Sequence, residues 1–182
     1  DVSVASEQDG IGPALAGTIA LMAELPIPTI AAIIGEGGSE AALALGVADR
    51  VLMLENAFYA PISPEEGASR LYRDQTRAQE VASVLKITAT DCLSRGIIDA
   101  VVMEPSGGAH QDHRSAARLL ESALYQHLSE VEKMSIKKLL RSRQKKFRHI
   151  GESSAYFRNA LGREVSYLQE QLGRGLQELR DR

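Results

Sequence analysis

The 182-residue chain has no tryptophan, a single cysteine, and aromatic residues at only 4%. One thiol, Cys92, excludes a disulfide framework and a thiolate zinc cluster. So few aromatics argue against recognition of single strands or sugars by stacking. No run approaches the roughly 18 to 20 uninterrupted apolar residues that span a bilayer, so no membrane insertion is expected. The opening DVSVASEQDG has neither a basic leader nor an apolar stretch and does not read as a signal peptide. What is present is a globular balance, 44% hydrophobic and 25% charged, in a length that fits one domain with a modest appendage.

Charge is unevenly spread. The formal net is -3, yet residues 1–132 hold 8 basic and 19 acidic side chains, and residues 133–182 hold 13 and 5. A body at -11 followed by a tail at +8 invites docking, because opposite potentials steer and orient partners. A solvated helix face accounts for the same pattern. No nucleic-acid partner is expected, since neither a fingerprint nor interleaved aromatics accompany the basic residues.

The hydrophobic pattern predicts an α/β order. Residues 14–24 form a helix ended by Pro26 and Pro28. Thr29 to Ile34 reads as a strand buried on both sides, running into a glycine turn at Gly35–Ser39 and a short helix to Ala48. Strands follow at VLMLE, 51–55, and from Ala57 to Ile62. Ser63-Pro64-Glu65-Glu66 is a helix start, with Ser as cap and Pro in first position. Helices are expected over 77–86 and 90–94, broken by Gly96, then a last strand from Ile97 to Met103. Asp112 to Glu132 and Ile136 to Ile150 are helical, the second strongly basic. Leu168, Leu172, Leu176 and Leu179 share a face of a final helix.

Gly35 to Ser39 carries the strongest chemical signal, because glycines between strand and helix let backbone N–H groups approach a ligand. A tight turn explains the same residues, and neither a dinucleotide fingerprint nor a phosphate loop is present. Ser39, Ser63 and Asp49 with His110 or His113 could suggest hydrolysis, but no spacing ties them together, and helix capping by Ser39 and Ser63 is the plainer reading. His110, Asp112 and His113 lie close in one loop with no fourth ligand, so no metal site is expected. Cys92 reads as a core residue. Glu65 and Glu66 are adjacent, a spacing that seldom turns both carboxylates inward.

Several stretches together are more specific than any of these. GEGGS at 35–39, ALALGVADRVLMLENAFYAPISPEEGAS at 42–69, LKITATDCLSRGIIDAVV at 85–102, EPSGGAH at 104–110 and KFRHIG at 146–151 resemble the alpha subunits of bacterial acetyl-CoA carboxylase carboxyltransferases. The resemblance implies a crotonase-like fold of repeated ββα units, with residues 1–132 as the C-terminal portion of a carboxyltransferase domain. It implies transfer of a carboxyl group from carboxybiotin, borne on the biotin carboxyl carrier protein, to acetyl-CoA, giving malonyl-CoA. It further implies a beta subunit as partner, a hetero-oligomer, and a cytoplasmic location, or the plastid stroma for a plant or algal source.

Carried over position by position, the family's G-E-G-G-S-G-G-A loop places oxyanion contacts at Gly37, Gly38, Glu40 and Ala41, and cofactor contacts at Gly35, Ser39, Ser63 and Glu65. Glu40 and Ala41 stand where the family has its second glycine pair, and Gly67 is displaced from its place in I-S-P-E-G-C-A. Two alternatives stay open: a non-catalytic scaffold or regulator of a carboxylase, and a stand-alone hydratase or isomerase using Glu65 or Glu66. The basic tail is expected to pack on the acidic body or on a partner.

Overall fold

The computed structural model describes residues 8–150. The predicted helix over 166–179 and most of the DVSVASEQDG opening lie outside them. In chain order the elements are α1 (Ile11–Glu24), β1 (Ile30–Ile33), β2 (Glu36–Gly38), α2 (Ser39–Leu45), β3 (Arg50–Leu54) and β4 (Phe58–Ala60), then α3 (Pro64–Tyr72), α4 (Ala78–Leu85), α5 (Ala89–Ser94), β5 (Ala100–Val102), α6 (His113–Glu132) and α7 (Ile136–Arg148). The strands make two parallel sheets, one ordered β1-β3-β5 and one pairing β2 with β4. Successive strands thus alternate between sheets, and a helix follows each of the pairs β1-β2 and β3-β4.

Central β3 explains the core. Val51, Leu52, Met53 and Leu54 are all buried, as a parallel strand flanked on both sides requires. They pack with Ala48, Ala57, Ala89, Cys92, Ile98 and Val102 in one cluster. Local chemistry sets the helix starts. The Ser63 hydroxyl accepts from Glu66 N at 3.2 Å, Thr88 caps α5 through Asp91 N, and Asp112 caps α6 through Ser115 N.

Two expectations need correction. Thr29 to Ile34 is not buried on both sides: β1 is an edge strand among the described residues, its residues are half-buried or exposed, and Ile34 is 66% exposed. An apolar run cannot distinguish a central strand from an edge one. The glycine turn at 36–38 is instead strand β2, registered as Glu36 with Phe58, Gly37 with Tyr59 and Gly38 with Ala60. A Cβ on Gly37 would lie 2.8 Å from Tyr59 Cδ2 and 2.9 Å from Ile33 Cγ2. Glycine is required there by close packing of the sheet.

Cys92 is a core residue. Burial pushes its thiol up to about 11 from an ordinary 9.0, with Asp91 adding to the shift. Because the folded value is the higher one, this preference stabilises the fold in full below pH 9 and is lost as pH rises through 11. Alkylation by iodoacetamide at pH 8 is expected to be at least about a hundredfold slower in the native chain than in urea, from thiolate fraction alone. Equal rates would show that the thiol is accessible.

The basic helix α7 packs on the body, one of the two outcomes expected for the tail. Arg143 is 1% exposed and uses all five N–H donors. Nε donates to Asp49 Oδ1 at 2.9 Å and Nη2 to Asp49 Oδ2 at 2.6 Å; the other N–H groups reach the carbonyls of Met22, Leu25 and Ile27. Asp49 Oδ2 also accepts from Thr29 N and Oγ1. One turn on, Lys146 pairs with Asp99, whose carboxylate also receives Val51 N. Burial lowers the Lys146 ammonium despite the nearby Asp99 charge, which acts in the opposite direction. The described part of the basic tail therefore packs on the acidic body and ties α1 to the starts of β1 and β3.

Candidate functional site

Parallel sheets offer their crevices at the carboxyl ends of strands. Strands β2 and β4 end side by side at Gly38 and Ala60, and a cavity of about 700 Å³ opens there. Gly38, Ser39 and Glu40 contribute from the passage of β2 into α2, and Ser63, Glu65 and Glu66 from the start of α3. Glu36, Ser69, Arg70 and Gln75 complete the polar lining.

The expected cap at Ser39 is not made. Gly38 is the residue before α2, no side chain caps that helix, and Ser39 itself has φ 71°. The chain leaves a strand and enters a helix with no loop between, so the backbone of Ser39 makes the bend, in a region that costs an L-residue about 1–2 kcal/mol. Ser63 does cap α3.

Of the eight positions singled out from the sequence, Gly38, Ser39, Glu40, Ser63 and Glu65 meet at this cavity. Gly37 is buried between Tyr59 and Ile33, Gly35 receives Phe58 N through its carbonyl, and Ala41 is exposed on α2; these three do not line it. Glu65 and Glu66 both line the cavity, contrary to the expectation from their adjacency, because the first turn of α3 sits at its rim. No histidine lines it. His110 lies in a separate cavity with Glu55 and Glu104, and Asp49 is committed to Arg143 and Thr29, so no hydrolytic triad is assembled.

Electrostatics narrow what the cavity can accept. Four carboxylates, Glu36, Glu40, Glu65 and Glu66, face one guanidinium, Arg70, which pairs with Glu66. The local field repels phosphate and suits an uncharged polar group. Tyr59, which sequence reasoning did not single out, lies beside this region. Its hydroxyl donates to Ala42 O at 3.3 Å, and burial raises its phenol, with Cys92 adding to the shift. Its place opposite Gly37 is set by the β2-β4 register, which only the fold supplies.

With this geometry in hand, comparison with known proteins is decisive about kinship. A family profile described as acetyl co-enzyme A carboxylase carboxyltransferase-like matches residues 2–151. The chain belongs to that family. It is 48% identical over 149 residues to the acetyl-coenzyme A carboxylase carboxyl transferase subunit alpha of Clostridium acetobutylicum, covering 82% of this chain and 54% of that protein. With the subunit alpha of Sorangium cellulosum the identity is 46% over 148 residues, covering 81% and 47%. The chain thus spans about half the length of the curated relatives it matches.

Solved structures agree on the fold. A Pseudomonas malonate decarboxylase hetero-tetramer in complex with coenzyme A superposes with TM-score 0.63 at 20% identity, over 93% of this chain and 63% of that one. A transcarboxylase 12S chain gives 0.52 at 23% identity, over 71% and 25%. These likenesses bear out the crotonase-like fold of ββα units expected from the sequence.

Proposed function

We propose that this family member forms the biotin-facing part of an acetyl-CoA carboxyltransferase, moving a carboxyl group from carboxybiotin on a carrier protein to acetyl-CoA within a hetero-oligomer that includes a beta-type subunit. The observation that carries the reading is the cavity at the ends of β2 and β4, where the family's G-E-G-G-S loop meets the start of α3. Its hydroxyl and amide groups fit the ureido ring, and Arg70 is the cation in the lining that the anionic carboxyl group of carboxybiotin would face. Hydroxyls at Ser39 and Ser63 and the Gln75 amide offer hydrogen bonds without charge, while the acidic surround disfavours the phosphates of coenzyme A.

When bound, carboxylated biotin supplies an activated carboxyl group. The chain's own part is to hold and orient. Gly38, Ser39, Glu40 and Ser63 would position the ureido group, with backbone N–H groups of 38–40 directed at its carbonyl oxygen as charge develops there. The nucleotide end of coenzyme A would sit outside this cavity, on the beta-type subunit. We place the assembly in the cytoplasm.

A second reading is favoured by one observation: Glu40 lines the cavity with a carboxylate where the family has glycine. That substitution suits a non-catalytic scaffold of a carboxylase. The deciding experiment purifies the protein from its own cells, determines native mass, identifies every co-purifying chain, and assays transfer of labelled carboxyl from malonyl-CoA to biotin methyl ester. A biotin carrier and a beta-type chain with measurable transfer support the enzyme. The same partners without transfer support the scaffold, and a chain running alone overturns both.

A further inference from the structure

Helix α2 brings Ser39 and Glu40 to the polar chamber, yet little in α2 itself fixes its place. It has seven residues, short of the roughly 12 to 15 at which an isolated helix becomes marginally stable. It starts on the strained Ser39, and Ala44 alone among its residues is buried. Tyr59 of β4 meets this helix at both ends. Before α2, a Cβ on Gly37 would stand 2.8 Å from Cδ2 of the ring. After it, a Cβ on Gly46 would stand 2.7 Å from the hydroxyl oxygen. Between the two, the hydroxyl donates to Ala42 O, which also accepts Gly46 N at 2.9 Å. Among the described residues, this is the one side-chain hydrogen bond that reaches the α2 backbone from outside the helix. The tyrosine is itself anchored: its backbone N–H donates to Ile87 O at 3.0 Å, and its strand pairs with β2.

We propose that Tyr59 is a positioning residue for the reaction: its ring and hydroxyl span α2 and set how the backbone N–H groups of 38–40 face the chamber. This deepens the carboxyltransferase reading and rests on it. One tyrosine accounts for two glycines, since Gly37 leaves room for the ring and Gly46 for the hydroxyl. Aim matters because a donor stabilises developing charge only where that charge forms. Without the hydroxyl, the head of α2 is free to relieve the backbone strain at Ser39 and turn its N–H groups away. Burial holds the Tyr59 phenol above its ordinary 10.0, so the hydroxyl stays a donor throughout the neutral range.

The test places Tyr59→Phe, which removes only the hydroxyl, in the assembly purified with its partners. Hydrogen exchange read by mass spectrometry follows the amides of 43–46, calorimetry measures binding of biotin methyl ester, and labelled-carboxyl transfer gives kcat and KM. Exchange at 43–46 is expected to quicken about fivefold, as loss of one neutral hydrogen bond allows. The same variant should lower kcat about fivefold while KM and ester affinity stay within twofold, the mark of an interaction realised in the transition state. Gly46 has φ -69°, which alanine tolerates, so Gly46→Ala should push the hydroxyl off Ala42 and repeat both effects. Added to Tyr59→Phe, it should change kcat less than twofold further, because both act through one contact. Unaltered exchange in Tyr59→Phe overturns the proposal. So does faster exchange with kcat within twofold, which would make Tyr59 a purely structural residue. Should Tyr59→Phe fail to assemble, Gly46→Ala decides alone by the same readings. An unsubstituted assembly that neither binds the ester nor transfers carboxyl groups overturns the carboxyltransferase reading and this role with it.

Discussion

Replacing Arg143 by methionine is expected to cost about 3–5 kcal/mol of stability, the range for removing one partner of a buried ion pair. Asp49, at 4% exposure, would keep its charge with only Thr29 to answer it. Three backbone carbonyls, those of Met22, Leu25 and Ile27, would lose their donors in the same step. Urea unfolding followed by circular dichroism measures the effect, and a loss under about 1 kcal/mol would contradict the packing described. Arg143→Lys is expected to rescue little, since a single ammonium cannot replace five N–H groups fixed in a fork. Combining Arg143→Met with Asp49→Asn should cost less than the sum of the two, because the double variant leaves no buried charge alone.

The largest expected effect on activity is a gain. Glu40→Gly with Ala41→Gly restores the family's loop at the head of α2. If the chain is catalytic, carboxyl transfer by the assembly should rise by about tenfold, the effect of relieving roughly 1.4 kcal/mol of like-charge repulsion at the chamber. Two causes act together. The Glu40 carboxylate lines the chamber, and a negative charge there opposes the one that develops in the reaction. The side chain at 40 also limits how closely a ligand approaches the backbone. Stability should fall by about 1 kcal/mol per glycine within a helix, which thermal melts would register separately. A change in transfer of less than twofold would favour the scaffold reading.

The site was only partly legible. Ser63 was readable as a cap because Ser-Pro-Glu-Glu has local chemistry that works wherever it is placed. Gly38, Ser39 and Glu40 were readable through the family loop, although the local role expected for Ser39 was wrong. Gly37 was assigned to a ligand, while its lack of a side chain serves the contact with Tyr59 and Ile33 across the β2-β4 pair. The spacing of a glycine does not disclose which neighbour needs the room.

Arg143 shows the same limit for charge. Within IKKLLRSRQKKFR it is one of seven Lys and Arg residues, and nothing local separates it from those facing water. Its position four residues after the buried Leu139 put it on the inward face, but its partner stands 94 residues earlier. Only the folded chain brings the two together.

By itself, then, the sequence determined the α/β order, nearly every helix start, the strand at VLMLE and kinship to a carboxyltransferase family, because periodicity, caps and shared motifs are properties of neighbouring residues. The tertiary structure alone decided which strand became an edge, that 36–38 form a strand, that both glutamates at the start of α3 line the chamber, and which residue of the basic helix is buried against the body. Those outcomes depend on contacts between distant segments, where packing and desolvation outweigh local preference.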